Sequence, residues 1–248
     1  MTIKLLSLMA LLSLVGCSSD SASRYPQDKF LTLGGDTVTL TFFKHASFSI
    51  ACNDKYIYVD PVMKYADYGS LPKADLILIT HSHEDHFDNA AIDSLSDDQT
   101  SIICDVISAK NFKRNYCAII PGSSAFPREY VKIDALPAYN TTAGHTQFHP
   151  QDRLDCSYLL TIDGTRIYIA GDGENTPEME SLSEIDIALL PVNQPYTMTV
   201  DQAIHAVKAI KPKVFYPIHT GETDVETDLD RLESELEGVT DVRIRPME

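Results

Sequence analysis

Runs of alternating or unbroken apolar residues, four to eight positions long, are interspersed along this chain with stretches of helical periodicity. Thr37 to Phe43, Ser47 to Cys52 and Lys55 to Asp60 predict an antiparallel meander, with Asn53-Asp54 as a tight turn. Asp75 to Thr80 (DLILIT) is a continuous apolar run, the mark of a strand covered on both faces. Ser101 to Val106 and Tyr130 to Ala138 predict further strands, and Asn89 to Leu95 and Ser108 to Asn115 predict helices. The second half repeats the logic. Ser157 to Ile162 and Arg166 to Ala170 flank Asp163-Gly164, a type I′ hairpin signal, and Ile185 to Val192 predicts a buried strand. Thr199 to Ile210 predicts a helix opened by a Thr199/Gln202 capping box and stopped by Pro212. Lys213 to Ile218 follows as a strand, Val225 to Leu236 as a helix ended by Gly238, and Val239 to Arg245 as a closing strand.

The two halves also match locally. Tyr56 to Val59 ends in Asp60, and Ile167 to Ala170 ends in Gly171-Asp172. No Gly-, Pro- or Ser-rich linker separates them, so the pattern predicts one α/β domain, a four-layer α/β/β/α sandwich of two similar halves. Such halves would bring their strand-end loops together along one edge.

The first residues do not fit that pattern. One Lys precedes the apolar run Leu5 to Val15, which as a helix would rise about 16 Å, roughly half a bilayer core. It reads as a secretory h-region. Leu14-Val15-Gly16-Cys17 and the serine-rich stretch after it resemble a bacterial lipoprotein signal, with cleavage before Cys17 and lipid on that thiol. The expected division is a signal peptide at 1–16, a lipidated Cys and tether at 17–35 and the α/β domain at 36–248. The expected location is the cell envelope, with the outer membrane or surface favoured because Asp is absent at position 18.

Composition narrows the partners. A net charge of −16 over 248 residues excludes sequence-independent nucleic-acid binding, which needs a dense basic surface. Small molecules and metal cations remain, and any membrane link must be hydrophobic or covalent. Cys52, Cys104, Cys117 and Cys156 show no metal spacing. Cys52 and Cys104 fall in apolar strand runs and read as buried free thiols.

The sharpest chemical signal is Thr80-His81-Ser82-His83-Glu84-Asp85-His86, directly after a buried strand. Alternate side chains of such a loop can share one ion through His81 and His83, and the following turn can direct Asp85 and His86 toward a second. Imidazole with carboxylate suits zinc and tolerates manganese or iron.

This HxHxDH loop resembles the signature of the metallo-β-lactamase superfamily. The finer texture is similar to a branch of metal-dependent hydrolases related to L-ascorbate-6-phosphate lactonase. It is carried by His45-Ala46-Ser47-Phe48, Asp60-Pro61, Pro137-Ala138-Tyr139-Asn140, His149-Pro150, Gly171-Asp172, Tyr196-Thr197-Met198 and Pro217-Ile218-His219. Lys44 and Gly173 depart from that branch, where Gly and Thr are usual.

The resemblance implies a two-ion site, zinc first and manganese as the alternative. His81 and His83 would hold the first ion, Asp85, His86 and His219 the second, and Asp172 would bridge them. Asp60 would stand behind the loop and fix the tautomer of a ligating histidine. The third histidine of the first ion is open between His149 and His145, with Asn140 or water as the remaining choices. His45 is a candidate pocket-lining or packed residue, and His205 a surface one. Asp85 is the candidate for orienting the nucleophile or passing its proton to the leaving group. The reaction implied is hydrolysis of a lactone, ester, amide or phosphodiester in a small-molecule substrate. Lys44 and Lys64 are the cations that could approach a phosphate. A β-lactam substrate and diiron redox chemistry are disfavoured, the latter because that variant has Glu where His83 stands. The competing reading is a catalytically silent metal-binding or scaffold lipoprotein.

Overall fold

The computed structural model describes residues 24–112, 115–221 and 223–247, so the signal segment and Cys17 lie outside the described residues. Two seven-stranded sheets face each other. The first runs in sequence order: β1 (Gln27–Leu31), β2 (Thr37–Lys44), β3 (Ser47–Cys52), β4 (Lys55–Val59), β5 (Leu76–Ile79), β6 (Ser101–Cys104) and β7 (Cys117–Ala118). Its first four strands are antiparallel and β4 to β7 are parallel. The second sheet repeats the plan with β8 (Ser124–Arg128), β9 (Val131–Pro137), β10 (Cys156–Ile162), β11 (Thr165–Ile169), β12 (Ile187–Pro191), β13 (Val214–Ile218) and β14 (Asp241–Val242). Here too four antiparallel strands lead into parallel ones.

Alternation explains the layers. The inward residues Leu40, Phe42, Phe48 and Ile50 meet Tyr158, Leu160, Leu189 and Tyr216 in the central core, with the Phe42 and Tyr216 rings 4.7 Å apart. Outward residues of the first sheet, Ile77 and Ile79 among them, pack on Ala91, Ile92 and Leu95 of α1 (Asn89–Leu95). On the other side Ala188, Leu190 and Phe215 are covered by the apolar stripe of α3 (Val200–Ile210) and by Met179 of α2 (Pro177–Glu180). α3 opens with the expected capping box, Thr199 and Gln202 each bonding the other's backbone amide. This is the four-layer α/β/β/α sandwich.

Four local expectations change. The segment read as tether contains β1, which pairs with β2 from Gln27↔Thr41 to Leu31↔Thr37 and places Phe30 against the core. The helix expected over Ser108 to Asn115 is a single 3₁₀ turn at Ser108–Asn111. Asp105 Oδ1 accepts from the amides of Ile107 and Ser108 and tightens the chain there. The helix expected from Val225 starts as α4 at Leu229–Glu235, because Asp228 caps the amide of Arg231 and Val225, 48% exposed, has no core to join. The closing strand shrinks to Asp241–Val242. Cys52 and Cys104 are buried free thiols. Among the described residues no helix is long and apolar enough to cross a membrane.

Candidate metal centre

The strand ends of both sheets meet at one edge, and the chemistry collects there. Asp60 follows β4 in a left-handed conformation (φ 43°), its amide bonded to the carbonyl of Leu78 on the neighbouring strand. Its carboxylate accepts from the Thr80 amide at 2.8 Å, the Thr80 hydroxyl at 2.6 Å and His86 Nδ1 at 2.8 Å. Two tautomers follow. Asp60 keeps a proton on His86 Nδ1, so Nε2 is the atom that faces the edge. The single Thr80 proton goes to Asp60, so the hydroxyl accepts from His81 Nδ1, 3.0 Å away, and His81 Nε2 is likewise left as a donor to a metal.

Three groups of nitrogen and carboxylate ligands converge, each with its atoms within 4.8 Å of one another. They are His81, His83 and His149; His45, Asp85, His86 and His219; and His81, His86 and Asp172. His81 Nε2 and His83 Nδ1 are 3.0 Å apart, close to the ~3.3 Å that separates two nitrogens of a tetrahedral zinc ion. Asp172 is the hub. Its Oδ2 lies 3.2 Å from His219 Nε2, 3.3 Å from His86 Nε2, 3.6 Å from His149 Nε2 and 3.9 Å from His81 Nε2. Yet His86 Nε2, His219 Nε2 and Asp172 Oδ1 are buried without a hydrogen bond. Buried polar atoms left so are costly, and a shared cation satisfies them all. The donor set fits divalent metal.

The electrostatics agree. Burial, reinforced by the neighbouring His86, holds His81 well below the usual imidazole range, and burial takes His83 down to about 4, so both are neutral ligands. Burial works against the Asp172 carboxylate, but His219 and His86 beside it overcome that and hold it well below the usual range. Burial also disfavours a charged His219, and Asp172 outweighs it, lifting the ring to about 9. Protons on His86 and His219 thus supply positive charge that a divalent ion would replace.

The profile of the family described as beta-lactamase superfamily domain matches residues 39–219, spanning both halves and every one of these ligands. The chain belongs to the metallo-β-lactamase superfamily. A UPF0173 metal-dependent hydrolase of Pelotomaculum thermopropionicum is 30% identical over 83% of this chain and 95% of its own length. A solved structure from Parabacteroides distasonis, described as a metal-dependent hydrolase, is 45% identical, with a TM-score of 0.85 over 90% of this chain and all of its own. Igni18, a metallo hydrolase of Ignicoccus hospitalis, shares the fold at 23% identity and a TM-score of 0.69, over 85% of this chain and 96% of its own. The protein is a metal-dependent hydrolase of that superfamily.

Within the metallo-β-lactamase fold, the structure separates the open alternatives. His149 stands with His81 and His83, while His145 turns away and meets Glu174 Oε1 at 3.2 Å. Asn140 is buried, and its Oδ1 has no hydrogen bond. Its amide donates to the carbonyls of His145 and Tyr196 at 3.1 and 2.8 Å, tying two loops together. His45, expected to line the pocket, is buried and joins the Asp85 group instead, its Nε2 3.1 Å from Asp85 Oδ2. The backbone places it there, since the His219 amide bonds the His45 carbonyl. His205 is exposed, beside Glu180.

Two acids escaped the sequence reading. Asp155 is buried with Oδ2 3.6 Å from His149 Nδ1 and is itself gripped by Arg153 Nε at 3.0 and 3.2 Å. Glu174 is buried and accepts from the amides of Thr141 and Thr142 and the Thr141 hydroxyl. Asp-Cys at the start of a strand and Gly-Glu beyond the end of one carry no distinctive spacing, so only the fold reveals them. Gly173, the departure from the branch pattern, sits at φ 154°, where a Cβ would lie 2.7 Å from the Tyr139 amide nitrogen. The chain runs too close to Tyr139 for the usual Thr.

Proposed function

We propose that the protein hydrolyses a lactone, ester or phosphodiester of a small molecule at a dinuclear centre, with zinc as the first choice of metal and manganese as the second. The observation that carries this reading is Asp172, whose Oδ2 sits among nitrogens of both histidine groups while its Oδ1 and two neighbouring imidazole nitrogens lack hydrogen bonds. His81, His83 and His149 would hold one ion, His45, Asp85, His86 and His219 the other, with Asp172 between them. Bound divalent ions lower the pKa of water toward about 7 and polarise the scissile carbonyl or phosphoryl oxygen. The rest falls to this chain's residues. Asp60 fixes the ring of His86, and the Asp155 carboxylate lies 3.6 Å from His149 Nδ1. Asp85, 34% exposed at the mouth of the site, orients the attacking water and carries its proton to the leaving oxygen. For an ester, the water oxygen joins the carbonyl carbon, the bond to the alcohol oxygen breaks, and that oxygen leaves protonated.

Metal analysis of the purified chain, with a panel of esters, lactones and phosphodiesters, tests this. About two zinc ions per chain are expected, with turnover lost in Asp85→Ala and metal lost in His81→Ala. Metal-free wild-type protein that still turns over would overturn it. A silent scaffold would be favoured by an incomplete first triad, and the position of His149 beside His81 and His83 supports the hydrolase reading instead. We further propose that Cys17 carries lipid and anchors the protein in the bacterial envelope, on the strength of the signal sequence. A Cys17→Ser form that remains in the membrane fraction would refute it.

A further inference from the structure

The hydrolase reading leaves the substrate open among carboxyl and phosphoryl compounds. We infer, resting on that reading, that the substrate is an uncharged carboxylic ester or lactone with an apolar or aromatic arm, and that phosphate-bearing compounds are disfavoured. Above the candidate ligands lies a cavity of about 350 Å³, lined on its outer side by Gln147, Phe148 and Tyr196. Phe148 and Tyr196 meet edge to face at 4.8 Å, with Phe148 half-buried and Tyr196 41% exposed, an aromatic wall beside the candidate ligands. A partly exposed aromatic pair that lines a cavity is a surface for an apolar group.

The wall is built to hold its shape. Asn140, buried, donates to Tyr196 O and to His145 O, so it fastens the Tyr196 loop to the 141–149 loop that carries Phe148. Glu174 anchors the start of that second loop through Thr141 and Thr142. Asn140 is therefore a positioning residue for the wall.

Charge points the same way. Among the described residues no Lys or Arg lines the cavity. Arg153, whose charge is felt by His83, is engaged by Asp155 and by Ser82 Oγ. Lys64, one of the cations expected to approach the site, lies over the ring of Tyr65 at 4.6 Å. Phosphoryl substrates recruit Arg or Lys to pair their spare oxygens, and an ester has none to pair. Here a phosphate outside the ions would face Phe148, Tyr196 and the carboxylate of Asp85.

The test uses the zinc-loaded full chain and one leaving group throughout: p-nitrophenyl acetate, butyrate, hexanoate and phenylacetate against p-nitrophenyl phosphate and bis-p-nitrophenyl phosphate. From acetate to hexanoate kcat/KM is expected to rise about tenfold or more through a falling KM, with both phosphates at least about a hundredfold below hexanoate. Phe148→Ala and Tyr196→Ala flatten that series at unchanged zinc content, and Asn140→Ala raises KM more than it lowers kcat. A second readout needs no turnover. Saturation-transfer NMR is expected to show 4-phenylbutyrate bound and to lose most of that signal in Tyr196→Ala. Turnover with a flat ester series, or with phosphates ahead of esters, overturns the ligand class and leaves the hydrolase reading standing. No turnover on any substrate, with phenylbutyrate bound at this wall, overturns the hydrolase reading and keeps the ligand class.

Discussion

Asp60 and Asp172 occupy equivalent places in the two halves, each just after the strand that turns an antiparallel meander into a parallel sheet. Both are buried within 3% of complete. Their surroundings differ in one respect. Every lone pair that Asp60 offers the site side is taken by protein, through Thr80 and His86. Asp172 has one oxygen with no hydrogen bond and another ringed by imidazoles whose own nitrogens are orphaned. Duplication supplied two buried acids, and hydrogen bonding assigned one to shape the loop and the other to face a cation. A satisfied acid is scaffold, and an unsatisfied one is a site.

The strongest way to break this comparison is to delete both acids in turn. Asp172→Ala is expected to lower turnover by about 10³-fold or more and to empty at least one metal position. Asp60→Ala is expected to act on folding first. It strands the Thr80 donors and a buried His86 proton, costing about 3–5 kcal/mol in denaturant unfolding. An Asp60→Ala form that kept its stability and lost metal as fully as Asp172→Ala would erase the distinction drawn between them. Chelation comes next. Removing metal should lower the melting temperature, since a ligand at a hundred times its Kd stabilises by about 2.7 kcal/mol. Asp155→Ala is expected to weaken zinc binding by about 10–100-fold, measured by competition with a chromophoric chelator, with little loss of fold.

The smallest effect belongs to a third kind of acid. Asp28 on β1 is held by Arg245 through both oxygens at 2.7 Å and by the Tyr216 hydroxyl. Burial pushes its pKa up, but these partners overcome it and leave the group below the usual carboxylate value. A depressed folded pKa means its contribution is complete above about pH 4 and fades as pH falls through the folded value. Asp28→Asn should therefore cost about 1 kcal/mol at pH 7 and much less near pH 3, by urea unfolding.

The part of the site that could be read from residues was the part concentrated in one loop. His81, His83, Asp85 and His86 lie in a single run after DLILIT, and Asp172 and His219 mark strand ends that periodicity locates. His45 stands alone in sequence, so its membership with Asp85 and His219 emerged only when β13 and the β2–β3 turn came together. Asp155 acts across a turn and Glu174 across a loop, and neither has a spacing to betray it. In the fold, long apolar strands were legible because burial dictates them. β1 was not, since QDKFL carries two charges and its pairing with β2 is what makes it a strand. Val225 shows the converse: a helical period predicts a helix only where there is a surface for its stripe to cover.

Each of the ligand groups draws from both sheets. His81 and His83 come from the first and His149 from the second; His45, Asp85 and His86 come from the first and His219 from the second. An ion seated in either group is thus a reversible cross-link between distant points of the chain, and the one joining His45 to His219 closes nearly the whole folded sequence into a ring. Such closure removes conformations from the unfolded ensemble, by an amount that grows only slowly with ring size. The metal-loaded protein should accordingly lose its two halves together in one transition, where the stripped protein is free to let one sheet open ahead of the other.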